Sequence, residues 1–375
     1  MNNKAALPLA GVRVVELARV LAGPLCGMML ADLGADVIKV ESIRGGDDTR
    51  GWGPPFNDNG ESAYFLSVNR NKLSATADLA SELDQLFIRT LVNSADVVIE
   101  NSLPGALQKH RLVADELLER NPALVWCTIS GFGPGSVRPG YDFVLQAESG
   151  WMSITGPKDG PPYKVGVALV DVIAGKDAAI AILAALVGRQ RQGSVSQRKL
   201  HISLRGSATA ALVNAAQNVL VTGNDAKRWG NGHPNLVPYQ LFEAADRPMV
   251  IAVGNDSQWK SAVVVLELDE LESDPSLVTN AGRLAQRDRV VASIAKKVLT
   301  DDASVWVDRL EHGGVPCGVV RGVVEALGDV TSSARDGVEP ATGGRIDRHP
   351  PGLNEHGEII RRLHWSAFKE VPILG

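Results

Sequence analysis

Apolar, β-branched stretches alternate with stretches of helical periodicity in the first part of the chain. Residues 12–17 form a β-branched run, a helical stretch opens at Gly23, and residues 36–41 (DVIKVE) alternate again. Strand, helix and strand in this order make a βαβ unit, whose two strands are parallel. The pattern recurs as a helix over 80–94, a buried strand over 95–100, a helix over 113–120 and a strand over 124–130.

The repeated pattern predicts an α/β fold, an open, mostly parallel, Rossmann-like sheet covered by helices on both faces. The most apolar helical run follows at 172–190 (VIAGKDAAIAILAALVGRQ), and turn-forming residues fill 222–238. A strand at 248–255, amphipathic helical stretches at 257–270 and 280–299, and VPCGVVR (315–321) predict a smaller α/β domain. We therefore predict a large domain over 1–221, a small domain over 222–331, and a segment over 332–375 that returns to the large domain.

Composition narrows the classes of partner. The 375 residues are 45% hydrophobic and 22% charged, with 38 Lys and Arg against 43 Asp and Glu, which gives a net charge of -5. No basic block or basic-aromatic stripe is present, so nucleic acid is not expected as a partner. No signal-peptide core precedes Glu16 and Arg19, and no stretch of 18 apolar residues follows, which predicts a cytoplasmic protein without a membrane partner.

Common catalytic and cofactor motifs are missing. The segment after the first strand, RVLAGPLCG (19–27), lacks the G-x-G-x-x-G of dinucleotide sites, and no Walker A, HExxH or GxSxG motif occurs. Cys26, Cys127 and Cys317 are far apart, which predicts buried thiols rather than a disulfide frame or a metal site. His233, in the turn-rich GNGHPN, could serve a site or a structural hydrogen bond.

Asp171 is the acidic residue with the most suggestive position. It follows the apolar run VGVALV and precedes the helix predicted from Val172. Asp is among the best helix N-cap residues, so a purely structural role is one interpretation. A nucleophile is the other, because a carboxylate there would be kept ionised by the helix dipole at an edge where ligands bind. The pattern alone leaves both open.

Seven segments, in order and over almost the whole chain, resemble the class III coenzyme A transferase family, which includes formyl-CoA and carnitine CoA-transferases. These segments are LAGPLCGMMLADLGADVIKVE (21–41), NRNKLSATADL (69–79), ADVVIENSLPG (95–105), NPALVWCTISGFG (121–133), RPGYDFVLQAESGWMSITG (138–156), PPYKVGVALVDVIAG (161–175) and GNGHPNLVPYQLF (230–242). The resemblance implies an enzyme that moves CoA from an acyl-CoA, such as succinyl-CoA, to a carboxylic acid. It also implies an interlaced homodimer, and CoA as a substrate with no tightly bound cofactor.

The resemblance also implies roles for individual residues. Asp171 matches the family's nucleophile, which would carry the acyl group as an aspartyl anhydride. Tyr141 and Asp142 would line the thioester site, and His233 belongs to the expected substrate pocket. The resemblance implies CoA contacts from Leu21 and Ala22, from residues 77–80 and 101–103, and from one basic residue. Among these we expect CoA to contact Leu21, Ala22, Ala77, Asn101, Ser102 and Lys109.

The chain departs from the family pattern at several points. Ser42 stands where relatives often have Arg, with Arg44 two residues on; Ser102 and Leu103 replace an aromatic residue and an Arg; and RQGSVSQ (191–197) replaces a glycine-rich turn. Three alternatives therefore stay open: an acyl-CoA racemase or epimerase of the same fold, a catalytically silent CoA-binding protein, and a dinucleotide oxidoreductase, against which the missing glycine fingerprint argues. Racemases of this fold place His where this chain has Tyr141, and Tyr is a poor proton shuttle at neutral pH, which favours transfer.

Overall fold

The computed structural model describes residues 6–193 and 197–374, so part of the 191–197 turn lies outside the described residues. Its contacts divide the chain into two compact units. The first unit contains residues up to Trp151, Lys164–Asn224 and the segment from Val330 onward. The second contains Met152–Tyr163 and Asp225–Asp329.

The strands are short. They are β1 (Arg13–Glu16), β2 (Asp36–Ser42), β3 (Lys72–Ala77), β4 (Val97–Glu100), β5 (Val125–Ser130), β6 (Lys199–Ser203), β7 (Tyr239–Glu243), β8 (Pro248–Ala252), β9 (Cys317–Val319), β10 (Ser332–Ser333) and β11 (Gly337–Val338).

The helices vary from one turn to more than six. They are α1 (Ala22–Asp32), α2 (Ala63–Leu66), α3 (Glu82–Asn93), α4 (Ala114–Arg120), α5 (Asp142–Glu148), α6 (Trp151–Ile154), α7 (Leu169–Gln192), α8 (Leu204–Ala210), α9 (Val213–Thr222), α10 (Asp256–Val265), α11 (Asp269–Glu272), α12 (Asn280–Ala285), α13 (Arg287–Val298), α14 (Ala303–His312), α15 (Val323–Leu327), α16 (Gly357–Leu363) and α17 (Ala367–Glu370).

The first unit is built on a six-stranded sheet in the order β3-β2-β1-β4-β5-β6. Every pair of neighbouring strands is parallel, which confirms the predicted fold class. Alternate residues point to opposite faces of the sheet: Val14 packs with α1 and α7, whereas Val15 packs with α3, α4 and α16. This strand order reverses direction between β1 and β4, and such a switch point is where open α/β sheets bind ligands at the strands' carboxyl ends.

The second unit has a three-stranded antiparallel sheet in the order β7-β8-β9. Apolar residues of α10, α13 and α14 cover it and form a core that includes Trp259, Ile294 and Trp306. Arg283 is buried against this core and donates to the backbone carbonyls of Val237, Leu277 and Val278.

The C-terminal segment completes the free edge of the first unit's sheet. The buried side chain of Asn71 donates to the Arg345 carbonyl and accepts from the backbone N–H groups of Asp347 and Arg348. Further along β3, the His356 N–H donates to the Ser74 carbonyl, and the Asn354 side chain accepts from the Thr76 N–H. This segment therefore covers an edge that would otherwise expose unpaired backbone groups.

Within residues 6–193 and 197–374, no helix combines the length and apolar character needed to cross a membrane.

Candidate active site

The site begins at the switch point, where the loops after β1 and β4 separate. Asn101, directly after β4, ties these loops together: its side chain accepts from the Arg19 N–H at 3.0 Å and donates to the Arg19 carbonyl at 2.8 Å. The two loops then form the walls of two adjoining cavities, both of which Arg19, Ser102 and Leu103 line.

The larger cavity, of about 560 Å³, lies over the carboxyl ends of β1, β2 and β3. That volume is within the range of roughly 300–1,000 Å³ that ligand pockets occupy. Its lining combines apolar and polar groups, among them Leu17, Ser42, Arg44, Ala77 and His110. An extended ligand with an anionic head fits such a lining, because apolar walls hold the body of a ligand and cationic side chains hold phosphate.

A buried ion cluster forms the floor between the larger cavity and the sheet. Lys39 donates to Glu16 and to the Ala18 carbonyl, each at 2.9 Å, and its ammonium lies 2.9 Å from Asp47. Burial alone would lower the pKa of Lys39, but the neighbouring carboxylates outweigh it and hold that pKa above its ordinary value. Asp47 also accepts from the N–H of Val20, a β-branched residue at φ 71°, so the cluster holds a strained loop in place.

Asp171 lines the second cavity, of about 240 Å³, which we name the Asp171 cavity. It lies in the first turn of α7, because this helix begins at Leu169, three residues before the predicted start. The residue at the N-cap position is Ala168, whose side chain cannot cap. The interpretation of Asp171 as an N-cap is therefore wrong. Its side chain does not cap the helix; it lines a cavity and is only 9% exposed.

The missing cap is supplied by another helix. Asp142, the first residue of α5, accepts from the Val170 N–H at 2.8 Å and from the Asp171 N–H at 3.4 Å. Gln146, one turn further along α5, donates to the other Asp142 oxygen at 2.6 Å. Gln146 also accepts from the Val165 N–H at 2.8 Å, so one face of α5 fixes the chain that leads into α7.

Burial, and after it the negative charge of Asp142, raises the pKa of the Asp171 carboxyl to about 7. The expectation that the helix dipole keeps Asp171 ionised is therefore wrong, because burial and the negative charge of Asp142 disfavour the ionised form. Tyr64 of α2 lies close to both acids: burial and then the charges of Asp171 and Asp142 raise the pKa of its phenol to about 12. In the described part of the chain, no cation is paired with Asp171.

The other predicted site residues are distributed as follows. Ala22, Asn101, Ser102 and Tyr141 line the Asp171 cavity, and Ala77 and Ser102 line the larger cavity. Leu21 lies between Val20 and Ala22 but lines neither cavity, and Lys109 is exposed outside both, next to His110, which does line the larger one.

His233 belongs to the second unit, and its contacts are local. Its ring accepts from the Asn235 N–H at 3.0 Å and lies 5.1 Å from the ring of Tyr239. Burial, followed by the charge of Arg287, lowers the pKa of His233. The structure therefore gives His233 a defined structural contact within its own unit.

Sequence reasoning missed Tyr64 and Gln146, which lie near Asp171, and Asp47, which lines the larger cavity. Tyr64 has no sequence motif that links it to an acid more than 100 positions away. Asp47 is a buried polar residue, and no apolar pattern in the sequence predicts its burial. Only Gln146 could have been found from the sequence, because it stands four residues after Asp142, a spacing at which Gln and Asp side chains meet on a helix.

The fold and the site together define a class of protein: a parallel α/β protein with a crevice at the switch point of its sheet and a buried carboxylate, Asp171, that lines an adjoining cavity. Comparison with known proteins identifies the family, since residues 9–357 match CoA-transferase family III. The chain is 41% identical to the succinate–glutarate CoA-transferase of Agrobacterium fabrum, over 97% of this chain and 98% of that protein. It is 39% identical to the human succinyl-CoA:glutarate CoA-transferase, over 100% of this chain and 85% of that one.

A solved structure of a CaiB/BaiF family protein from Brucella suis is 39% identical and superposes with a TM-score of 0.82, over 96% of this chain and 99% of that one. The chain therefore belongs to CoA-transferase family III, and it is an enzyme of that class, which moves CoA from an acyl-CoA to a carboxylic acid. The predictions of family, fold class and enzyme class are confirmed.

Proposed function

We propose that this enzyme transfers CoA between short dicarboxylic acids, with succinyl-CoA as donor and an acid such as glutarate as acceptor, through an acyl group carried by Asp171. The observation that carries the mechanism is the placement of Asp171: a buried carboxylate that makes no cap, faces a cavity, and adjoins a second cavity large enough for an extended ligand. The names of the Agrobacterium and human relatives support the choice of acids.

The chemistry balances without any added proton or cofactor. An Asp171 oxygen attacks the thioester carbonyl, the carbon–sulfur bond breaks, and CoA leaves as thiolate with the bonding electrons. Thiolate then attacks the side-chain carbonyl carbon of Asp171, which releases the donor acid and leaves an aspartyl thioester. The acceptor carboxylate attacks the carbonyl carbon of this thioester, the carbon–sulfur bond breaks, and thiolate leaves behind a second anhydride. Thiolate then attacks the acceptor acyl carbon, and the bond from that carbon to the Asp171 oxygen breaks, which forms the new acyl-CoA and restores the Asp171 carboxylate.

The two cavities suit the two parts of an acyl-CoA. The larger one has Arg44 and His110 for anionic groups, and the Asp171 cavity has room for a short acyl chain. We propose that Ala22, Ala77, Asn101 and Ser102 contact CoA by their position on these walls. Asn101 would act through backbone or van der Waals contact, because its side-chain amide is already bonded to Arg19.

Replacing Asp171 by Asn tests the mechanism. The amide cannot form the anhydride, so we expect transfer from succinyl-CoA to glutarate to fall by on the order of 10⁴-fold or more, while CoA binding persists. Treating the wild-type enzyme with hydroxylamine during turnover should leave a hydroxamate on the peptide that contains Asp171. A hydroxamate elsewhere, or transfer by Asp171→Asn near the wild-type rate, contradicts the proposal.

The same assays separate the alternatives. Exchange of the α-proton with deuterated water in the absence of an acceptor acid would indicate a racemase, and binding of CoA without transfer or exchange would indicate a silent protein. Transfer to glutarate with no exchange supports the proposal. A panel of acyl-CoA donors and carboxylic acids, read by mass detection of new thioesters, identifies the preferred pair.

We also propose a homodimer in the cytoplasm. Family resemblance supports the dimer, and so does α9, on which Val213, Leu220 and Val221 are 69%, 76% and 74% exposed. Apolar exposure of this extent is typical of a surface that another chain covers. The mass of the protein in solution, by light scattering, decides between monomer and dimer.

A further inference from the structure

We infer that Asp142 is a positioning residue for the nucleophile: it caps α7 from a neighbouring helix, and its fixed negative charge keeps the Asp171 carboxylate reactive. The inference rests on the proposed role of Asp171. It adds a second residue, Asp142, whose cap and charge that role does not by itself require. Its starting point is geometric, since the carboxylate of Asp142 accepts from the backbone N–H of the nucleophile itself and from that of the residue before it.

The cap fixes where Asp171 stands. Ala168 at the start of α7 leaves the first-turn N–H groups without a local acceptor, and an uncapped helix end frays. Asp142 is itself held at its other oxygen by Gln146, whose side chain is buried and bonded on both sides. Asp142 and Gln146 of α5 therefore fix the position of the Asp171 backbone. A displacement of the Asp171 carboxylate by 1 Å would lower the rate of transfer by on the order of 10²-fold.

The charge of Asp142 acts in the direction that acyl transfer needs. Two carboxylates near each other in a buried site repel, so the free enzyme is raised in energy relative to the acylated enzyme, in which Asp171 is neutral. The same repulsion makes Asp171 more basic, and a more basic carboxylate is a better nucleophile once it is ionised.

No charged group that lines the Asp171 cavity has this role. The charged and titratable groups that line it or lie close to Asp171 are Arg19, Asp48, Arg138, Tyr141 and Tyr64. Arg19 is paired with Asp48 at 3.0 Å and Arg138 with Glu148 at 2.5 Å, so both cations are compensated. The titratable groups on the other elements packed against α7 do not line the cavity: Cys26 and Asp32 of α1, Cys127 of β5, Lys199 and His201 of β6, and Arg205 of α8.

The test compares Asp142→Asn with Asp142→Ala by the pH dependence of kcat/KM for succinyl-CoA and glutarate. Wild-type activity should rise with pH through about 7, as Asp171 ionises. The amide oxygen of Asp142→Asn can still accept from the Val170 N–H, so this variant removes the charge and retains the cap. Its amide NH2 replaces the oxygen that accepts from Gln146, so the pH of the acid limb, which reports the charge, is the readout and not the rate alone. We expect its acid limb to move to lower pH by on the order of one unit, and its kcat above pH 8 to fall about tenfold.

Asp142→Ala removes cap and charge together, and kcat should fall by a further tenfold or more. Asp115→Asn, which removes one exposed carboxylate from the first turn of α4, is the control for net charge and should match the wild type. An acid limb that Asp142→Asn leaves unmoved overturns the inference, even if the variant is less stable. If Asp142→Ala does not fold, the acid limb of Asp142→Asn alone decides the inference. Failure of the proposed function would be seen separately, because the wild-type enzyme would then show no transfer from succinyl-CoA to glutarate.

Discussion

The role proposed for Asp171 places two conflicting demands on its carboxyl group: the group must be buried to react away from water, and it must be charged to react at all. Its pKa of about 7, set first by burial and then by Asp142, means that ionising it in the folded protein costs free energy. The folded-state pKa stands above the unfolded value of 3.8, so the folded state binds the proton more tightly. Stability from this group is present at low pH and is lost as pH rises from about 4 to about 7.

Asp171→Asn should therefore be more stable than the wild type at pH 8, although inactive. The pKa difference of roughly three units sets an upper limit of about 4 kcal/mol on the gain. Urea unfolding at pH 8 and at pH 4.5 measures it, and the gain should shrink at the lower pH, where the wild-type carboxyl is largely protonated. A variant that is less stable at pH 8, or a gain independent of pH, contradicts this account.

At this scale, the resemblance drew attention to Asp171, but the sequence did not predict the residues that surround it. The apolar run 172–190 predicted α7 three residues short, and that error made Asp171 resemble a cap. The true cap, Asp142, is 29 positions away from Asp171. No local pattern predicts a bond of that separation.

The packing of α1 against α7 places the first turn of both helices at the Asp171 cavity. Gly175 permits this approach: a Cβ at this position would lie 2.6 Å from the Ala22 carbonyl oxygen and 3.3 Å from a Leu25 methyl. Since neither helix backbone can yield freely, the glycine is required by close approach rather than by its own conformation.

Gly175→Ala should push α1 away and disturb the wall that Ala22 provides. We expect a loss of about 1–3 kcal/mol in the free energy of unfolding, as in other overpacked interiors, together with a raised KM for the acyl-CoA. Lys176→Ala, one position along on the exposed side of α7, is the matched control and should change stability by about 0.5 kcal/mol or less. Equal stability of the two variants would show that the helices are not held at their closest distance.

Among the elements, β3 shows where prediction from periodicity ends. The sequence predicted β1, β4 and β5 as apolar stretches and β2 as an alternating one. It did not predict KLSATA (72–77) as a strand, because the buried residues Lys72 and Ser74 are polar. Lys72 is buried only because Glu16 lies 2.9 Å away, with the Pro24 and Val68 carbonyls as further acceptors. Ser74 is buried because it donates to Glu41. Whether a polar residue can be buried in β3 therefore depends on partners in other strands, which the sequence of β3 alone does not show.

For the whole molecule, Asn71 joins β3 to the C-terminal segment. Its side chain makes four hydrogen bonds, to Asp32 and to the backbone of Arg345, Asp347 and Arg348. Its backbone has φ 65°, a conformation that Asn tolerates better than most residues.

Asn71→Ala should lower the free energy of unfolding by about 2–4 kcal/mol, because several buried backbone groups lose their partner. The change should also increase proteolysis within the segment from Val330 onward. Asn93→Ala, an exposed asparagine at the end of α3, serves as the control and should be within about 0.5 kcal/mol of the wild type. Equal protease resistance in both variants would mean that other contacts suffice to hold the segment.

The dependence of β3 on residues 345–356 also sets an order of events during synthesis. The ribosome adds Thr76 about 280 residues before Asn354, and both parts of the second unit, Met152–Tyr163 and Asp225–Asp329, are made in between. The nascent chain therefore carries an incomplete sheet for most of its translation. The edge strand beside the larger cavity can acquire its final hydrogen-bond partners only after the intervening unit has been produced.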